Sequence, residues 1–302
     1  MKGSEASVET AAYVATPRKA KDVVYHGKPV FESSAGEASS IAHQVRGYFE
    51  HGLVLTEEMT VIDAGAHIGL FALEILERCR GARVFCCEPI PSTAALLRLN
   101  VARFSEREQP VVLNCGLGAT SSVETFFYNP MASMTSTAYP DVFDPVDVES
   151  YVSWFRSSDC PKAYLTAFPV HPKYIPRHVL RHFMVKAMKP KRLPPVRCEV
   201  RTLQEVIAAH SIQEIGLLKV DVEGAEEDVI NGLSEDDWGK IQAVVVEVHD
   251  NVEGRFSRVL EKCLGHGLMH YAEVVEPEFA RVNMPMKTLV AARYPLRKEQ
   301  QG

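Results

Sequence analysis

Val61-Ile62-Asp63-Ala64-Gly65-Ala66-His67-Ile68-Gly69 decides how this chain folds. The short apolar run 59–63 reads as a strand, and it enters a turn carrying two glycines before a helical stretch at 70–80. Glycine permits a tight turn and lets a ligand approach the backbone closely. In open α/β sheets ligands bind beyond the carboxyl ends of the strands, where strand order reverses, so this loop is the first candidate site. A dinucleotide fingerprint would also require glycine at positions 67 and 70, where His67 and Leu70 stand. The loop therefore favours a ligand with no pyrophosphate to bury.

Outward from that loop, strand-like and helix-like signals alternate. A strand at 83–87 precedes a helix at 91–104 that opens on proline, and a strand follows at 111–115. The alternation resumes with a helix at 203–210, a strand at 216–222, a helix at 225–231 and a strand at 243–248, then a helix at 255–265 and strands at 270–275 and 288–293. Such a pattern predicts βαβ units and a parallel, doubly wound sheet with helices on both faces. The second strand ends in Glu88-Pro89, where a carboxylate can accept both hydroxyls of a ribose. S-adenosylmethionine meets these requirements: its amino-acid part can bond the loop backbone around Gly65, Ala66, His67 and Gly69, with its ammonium beside Asp63.

The fourth strand, Leu217-Leu218-Lys219-Val220-Asp221, runs into Val222-Glu223-Gly224-Ala225-Glu226. Lys219 and Asp221 share one face by the period of two, and the acids at the strand end face the expected position of the reactive methyl group. Glu226 and Glu227 also suit the first turn of a helix, where the dipole favours acids. In the fifth strand, Glu247 and His249 share a face near the carboxyl end. Histidine is suited to removing a hydroxyl proton near neutral pH, with Glu247 or Asp221 to orient it. Asp221, Glu223 and Asp250 could imitate an oxygen set for magnesium, but no metal site is assigned. His178 and His182, four residues apart among arginines, read as a basic surface face.

These segments, VIDAGAHIG, the strand ending in EP, LLKVDVEGAE and VVVEVHD, resemble the FkbM-type methyltransferases, in particular the O-methyltransferases of polyketide and mixed peptide-polyketide biosynthesis. The resemblance covers about 41–293. It implies a class I, Rossmann-like, seven-stranded methyltransferase fold over 39–302 with S-adenosylmethionine as donor. It also implies a hydroxyl or enol acceptor, free or presented on an acyl carrier protein. A sugar O-methyltransferase, an N-methyltransferase and a non-catalytic cofactor-binding scaffold are the competing readings. His67 departs from the asparagine usual in that family.

Composition and charge bound the rest. No apolar run approaches the roughly 18 residues that cross a bilayer, and the amino terminus has no signal-like apolar stretch, so a cytoplasmic protein with no membrane partner is expected. The seven cysteines are scattered without a Cys-x-x-Cys pair and are expected to be reduced. Residues 1–38 look like an extension ordered only by docking. Between 129 and 198 the alternation lapses into a proline-dense insertion with short helices near 148–155 and 177–185, read as a lid whose aromatics form their own small core. Between His171 and Arg201 nine basic residues face one acid. That segment is +8, which leaves −14 for the rest of a chain of net charge −6. A basic lid suggests an acidic partner, and the acidic remainder argues against nucleic acid.

Overall fold

The computed structural model describes residues 17–25, 27–104, 110–130, 132–143, 147–187, 193, 195–250, 252–275, 280, 282 and 286–297. The chain begins with an antiparallel hairpin of β1 (Arg18–Tyr25) and β2 (Lys28–Glu32), followed by α1 (Glu37–Tyr48). It continues through β3 (Thr60–Ala64), α2 (Leu70–Arg78), β4 (Arg83–Cys87), α3 (Pro91–Val101) and β5 (Val111–Leu113). Next come β6 (Gly116–Leu117) and β7 (Ser122–Phe127), then the helices α4 (Val148–Arg156), α5 (Lys162–Leu165) and α6 (Arg177–Ala187). The remainder is β8 (Pro195–Arg201), α7 (Leu203–Ala209), β9 (Leu217–Val220), α8 (Glu226–Asn231), α9 (Glu235–Trp238), β10 (Ala243–His249), α10 (Arg255–Gly265), β11 (His270–Val274) and β12 (Met286–Ala292).

Seven strands form the central sheet in the order β11-β12-β10-β9-β3-β4-β5. β12 is antiparallel to both of its neighbours, and the other pairs are parallel. This is the class I methyltransferase fold that the sequence implies. β9 and β10 are buried throughout because helices cover both faces, which explains their near-continuous apolar sequences. Alternate residues serve the two cores: Val61, Val84 and Leu217 pack with α1, α2 and α3, while Ile62, Phe85 and Leu218 pack with α7, α8 and α10. From β3 the chain moves outward to β4 and β5 and then returns to β9 on the other side. The strand order therefore reverses between β3 and β9, at the glycine loop.

The amino-terminal segment from Arg18 onward is more regular than the sequence implied. Ala20, Val23, Tyr25 and Val30 are buried in the main core, so the hairpin is part of the domain's packing. Asn100 of α3, fully buried, pins it: its amide nitrogen donates to the carbonyls of Phe31 (2.9 Å) and Ile68 (2.8 Å), and its oxygen accepts the Phe31 N–H at 2.7 Å. Residues 1–16 lie outside the described residues.

A second, three-stranded sheet of order β6-β8-β7 carries the lid. β7 and β8 pair antiparallel from Ser122 opposite Val200 to Phe127 opposite Pro195, and the insertion leaves and re-enters through that ladder. The expected lid helices are α4 and α6, and Val152, Trp154, Phe155, Tyr164, Leu180 and Met184 form the core between them. Of the basic residues expected there, Lys189, Lys191 and Arg192 lie outside the described residues. The lid reaches the start of α1 closely: a Cβ on Gly36 would stand 2.3 Å from the Ala167 nitrogen. No helix among the described residues is long and apolar enough to cross a membrane.

Asn100→Leu would leave the Phe31 N–H and the Phe31 and Ile68 carbonyls without their buried partner. The expected cost is on the order of 2–4 kcal/mol, read as a lower urea midpoint at unchanged m value. An unshifted midpoint would show that the hairpin is not anchored through this side chain.

Candidate active site

The glycine loop is shaped by how closely β9 approaches it. Gly65 has φ +77°, and a Cβ there would fall 1.8 Å from the Asp221 carbonyl oxygen, so no other residue fits without moving the strand end. The Gly65 and Ala66 N–H groups both donate to the Cys87 carbonyl at 3.0 Å, which ties the loop to β4. Beneath it, Asp63 and Lys219 stand opposite each other in the β3–β9 register, with Lys219 Nζ 3.2 Å from Asp63 Oδ1. The same ammonium donates to the Gly65 carbonyl at 2.8 Å and lies 3.2 Å from Asp221 Oδ2. Burial alone would favour a neutral lysine, but the carboxylates of Asp221 and Asp63 outweigh it and raise the Lys219 pKa.

Gly65, Ala66, His67, Glu88, Pro89 and Asp221 border one chamber, as the sequence implied for a cofactor site. Two expected contacts are corrected. Asp63 is fully buried under the loop against Lys219 and does not border the chamber, so it holds the lysine rather than a ligand's ammonium. Gly69 is also absent from the lining. With φ +92° it opens α2 against Leu97, whose Cδ1 would lie 2.5 Å from any added Cβ.

Glu88 is buried, and its two oxygens accept the N–H groups of His67 (3.0 Å) and Ile90 (2.9 Å). Burial pushes its pKa up to about 7, against the pull of those amides. His67, itself at φ +50°, places Nε2 2.7 Å from Ser133 Oγ. Ser133 donates in turn to Glu37 at the start of α1, so the glycine loop, the lid and α1 are joined. Burial lowers the His67 pKa, which favours the neutral ring. Sequence reasoning did not foresee Glu37 or Ser133, because neither lies in a recognisable motif.

A second chamber of about 360 Å³ adjoins the first under the lid. Tyr151, Trp154, Phe155, Tyr164, Phe168 and Phe183 supply much of its wall. Gln44, Met134, Glu223 and Glu247 border both chambers and form the neck between them. Tyr48 of α1 donates to Glu247 Oε2 at 2.9 Å, with Asp221 Oδ2 at 3.4 Å.

His249 reaches this neck in a state different from the one expected. Its Nδ1 lies 3.0 Å from Glu226 Oε1 and its Nε2 3.1 Å from Glu223 Oε2. Burial alone would lower its pKa, but the two carboxylates prevail and hold it well above the ordinary value. The ring is then an imidazolium with both N–H groups donating, and it has no lone pair with which to take a proton. The role of neutral base is corrected accordingly. Glu223 and Glu226 hold the ring nitrogens, where Glu247 or Asp221 was expected to do so. Glu226 is a fully buried partner of His249 and of the Gly224 N–H (2.7 Å), whereas Glu227 is the surface acid of the helix start, paired with Arg258. Asp250, the third member of the considered oxygen set, accepts the Phe256 N–H at 3.0 Å. No group of three or more potential metal ligands occurs among the described residues.

Residues 63–284 match the family model described as the methyltransferase FkbM domain. The chain belongs to the FkbM methyltransferase family. It is 32% identical over 258 residues to the 31-O-demethyl-FK506 methyltransferase FkbM of Streptomyces tacrolimicus, covering 84% of this chain and 90% of that protein. It is 31% identical over 208 residues to the AMB antimetabolite synthetase AmbE of Pseudomonas aeruginosa, covering 68% of this chain and 9% of that much longer protein. Methyltransferase 1 of Beauveria bassiana is 26% identical over 239 residues, covering 78% of this chain and 82% of that one. The protein is thus an S-adenosylmethionine-dependent methyltransferase, and the first chamber fits that cofactor. Four carboxylates (Glu88, Asp221, Glu223, Glu247) and one ammonium (Lys219) border it, a donor set suited to a cation. Each Glu88 oxygen also keeps lone-pair capacity beyond its one backbone N–H.

Because the folded-state pKa of Glu88 is raised from 4.5 to about 7, the folded protein retains a proton that the unfolded chain releases in that window. The stabilisation is present in full below pH 4.5 and is lost as pH rises through about 7. Urea melts of cofactor-free protein should show wild type losing stability across that window relative to Glu88→Gln. Parallel pH profiles would place the titration elsewhere.

Proposed function

We propose that the chain is an O-methyltransferase acting on a hydroxyl or enol of a polyketide-like small molecule. The observation that carries this reading is the carboxylate-bordered neck joining a cofactor chamber to an aromatic one. Bound in the first chamber, S-adenosylmethionine supplies a methyl group on a sulfonium, so that carbon–oxygen bond formation is matched by carbon–sulfur cleavage to a neutral thioether. Glu88 holds the ribose hydroxyls. The N–H groups of Gly65, Ala66 and His67 are engaged by Cys87 and Glu88, so the loop offers carbonyl oxygens to the ammonium of the amino-acid end, and Asp221, with a quarter of its side chain exposed, offers a carboxylate.

Glu223 removes the acceptor proton. It borders both chambers, and its backbone is held at φ +55°, a conformation that costs a non-glycine residue energy and is concentrated at functional sites. His249, fixed between Glu226 and Glu223, orients the carboxylate. The lid's aromatic wall excludes water and aligns the acceptor, and alignment supplies most of the acceleration in such a transfer. The match to a relative named for an FK506 precursor supports a polyketide-like acceptor. The outer face of α6, where Arg177 and Arg181 share the single carboxylate of Glu149 and Lys186 is exposed, keeps a net positive charge that suits an acidic carrier protein delivering it.

The test is incubation with methyl-labelled S-adenosylmethionine and hydroxylated polyketide acceptors, free and carrier-bound, with label expected on oxygen. Label on nitrogen or on a sugar hydroxyl would replace this reading. Glu223→Gln should lower kcat about 10²–10⁴-fold, well beyond any weakening of cofactor affinity by calorimetry. Near wild-type turnover would assign proton removal to another group.

A further inference from the structure

We infer that Gln44 orients the acceptor hydroxyl at the neck and so helps select which hydroxyl is methylated, an inference that rests on the methyl-transfer reading above. Gln44 lies one turn before Tyr48 on α1, outside the region matched by the family model, and borders both chambers. Its neighbours at the neck are already engaged or apolar. Glu223 is held by His249, Glu247 accepts from Tyr48, and Met134 offers no strong hydrogen-bonding group. Gln44 differs from all three. It is half-buried, and among the described residues none hydrogen-bonds its amide.

A glutamine amide carries two N–H donors and a carbonyl acceptor, and at the half-buried Gln44 these remain open to a ligand. A neutral amide beside two carboxylates complements what they lack. A carboxylate can only accept from the acceptor's O–H, whereas the Gln44 NH₂ can donate to a lone pair of the same oxygen. With the proton directed to Glu223 and one lone pair held by Gln44, the remaining lone pair is fixed in direction. The chamber also limits the charge of what can reach that point: Glu37, Glu223 and Glu247 face it and disfavour an anionic acceptor, while the aromatic wall suits a largely apolar alcohol. A site that hydrogen-bonds a substrate hydroxyl discriminates against the analogue lacking it, because the buried polar group is then left unpaired.

The probes are 4-phenylcyclohexanol and phenylcyclohexane, titrated against the protein with S-adenosylhomocysteine bound and followed through tryptophan fluorescence in a Trp238→Phe background, which leaves Trp154 in the chamber wall as the reporter. Wild type should bind the alcohol about tenfold more tightly than the hydrocarbon. Gln44→Met, nearly the same shape, should keep only the smaller part of that preference that Glu223 supplies, with S-adenosylhomocysteine affinity by calorimetry unchanged. Gln44→Asn, which keeps the amide but withdraws it by one methylene, should retain part of the preference and serves as the reference if the Met variant folds poorly. A Met variant that keeps the full preference overturns the inference, as does one that loses cofactor affinity instead. Failure of wild type to bind either probe overturns the acceptor-chamber reading itself, and this inference with it.

Discussion

The buried ammonium of Lys219 is the constraint on which the site depends. It stands at the point where strand order reverses, between Asp63 and Asp221, and also binds the Gly65 carbonyl. Two charged strand ends are thereby drawn together just where a glycine leaves room for close approach. Removing one member of a buried ion pair costs about 3–5 kcal/mol, because the other is left uncompensated. The cluster therefore sets the position of the loop as well as its charge, and the Glu88 and Asp221 carboxylates inherit their placement from it.

A similar logic governs the neck. Carboxylates from the β9–α8 turn converge on a histidine from β10, and burial makes each dependent on the others. His249 donates from both ring nitrogens and fixes the direction of the Glu223 carboxyl, whose pKa burial raises against the pull of the ring. Tyr48 plays the corresponding part for Glu247 with a neutral hydroxyl. One side of the neck is thus held by a charged donor and the other by an uncharged one.

The central sheet was legible in the sequence because its strands are buried on both faces and separated by periodic helices. The turn after β3 was legible because its glycines, like Glu88, are fixed by local geometry at strand ends. The hairpin at Arg18–Glu32 was not, since its buried residues alternate with charged ones in a segment without turn signals strong enough to stand out. His249 was placed at the site, but its protonation was misjudged. Spacing along one strand shows which side chains share a face, whereas protonation depends on Glu223 and Glu226, which arrive from a different turn. Asp63 illustrates the same limit. Its position at the strand end suggested a ligand contact, and only the register with Lys219 reveals that it is occupied from below.

The lid leaves and returns through adjacent strands, with Phe127 opposite Pro195 at the base of the ladder. Both ends are therefore fixed side by side, and what lies between them can change in length or composition without disturbing the seven-stranded sheet. Tyr151, Trp154, Phe155 and Phe168 all belong to that replaceable stretch, whereas Lys219, Glu88 and Glu223 do not. The ladder is therefore a natural boundary for exchanging the aromatic wall of the second chamber as one contiguous segment, provided that Ser133 and Thr137, which tie that segment to His67, Glu37 and the Glu223 carbonyl, are kept.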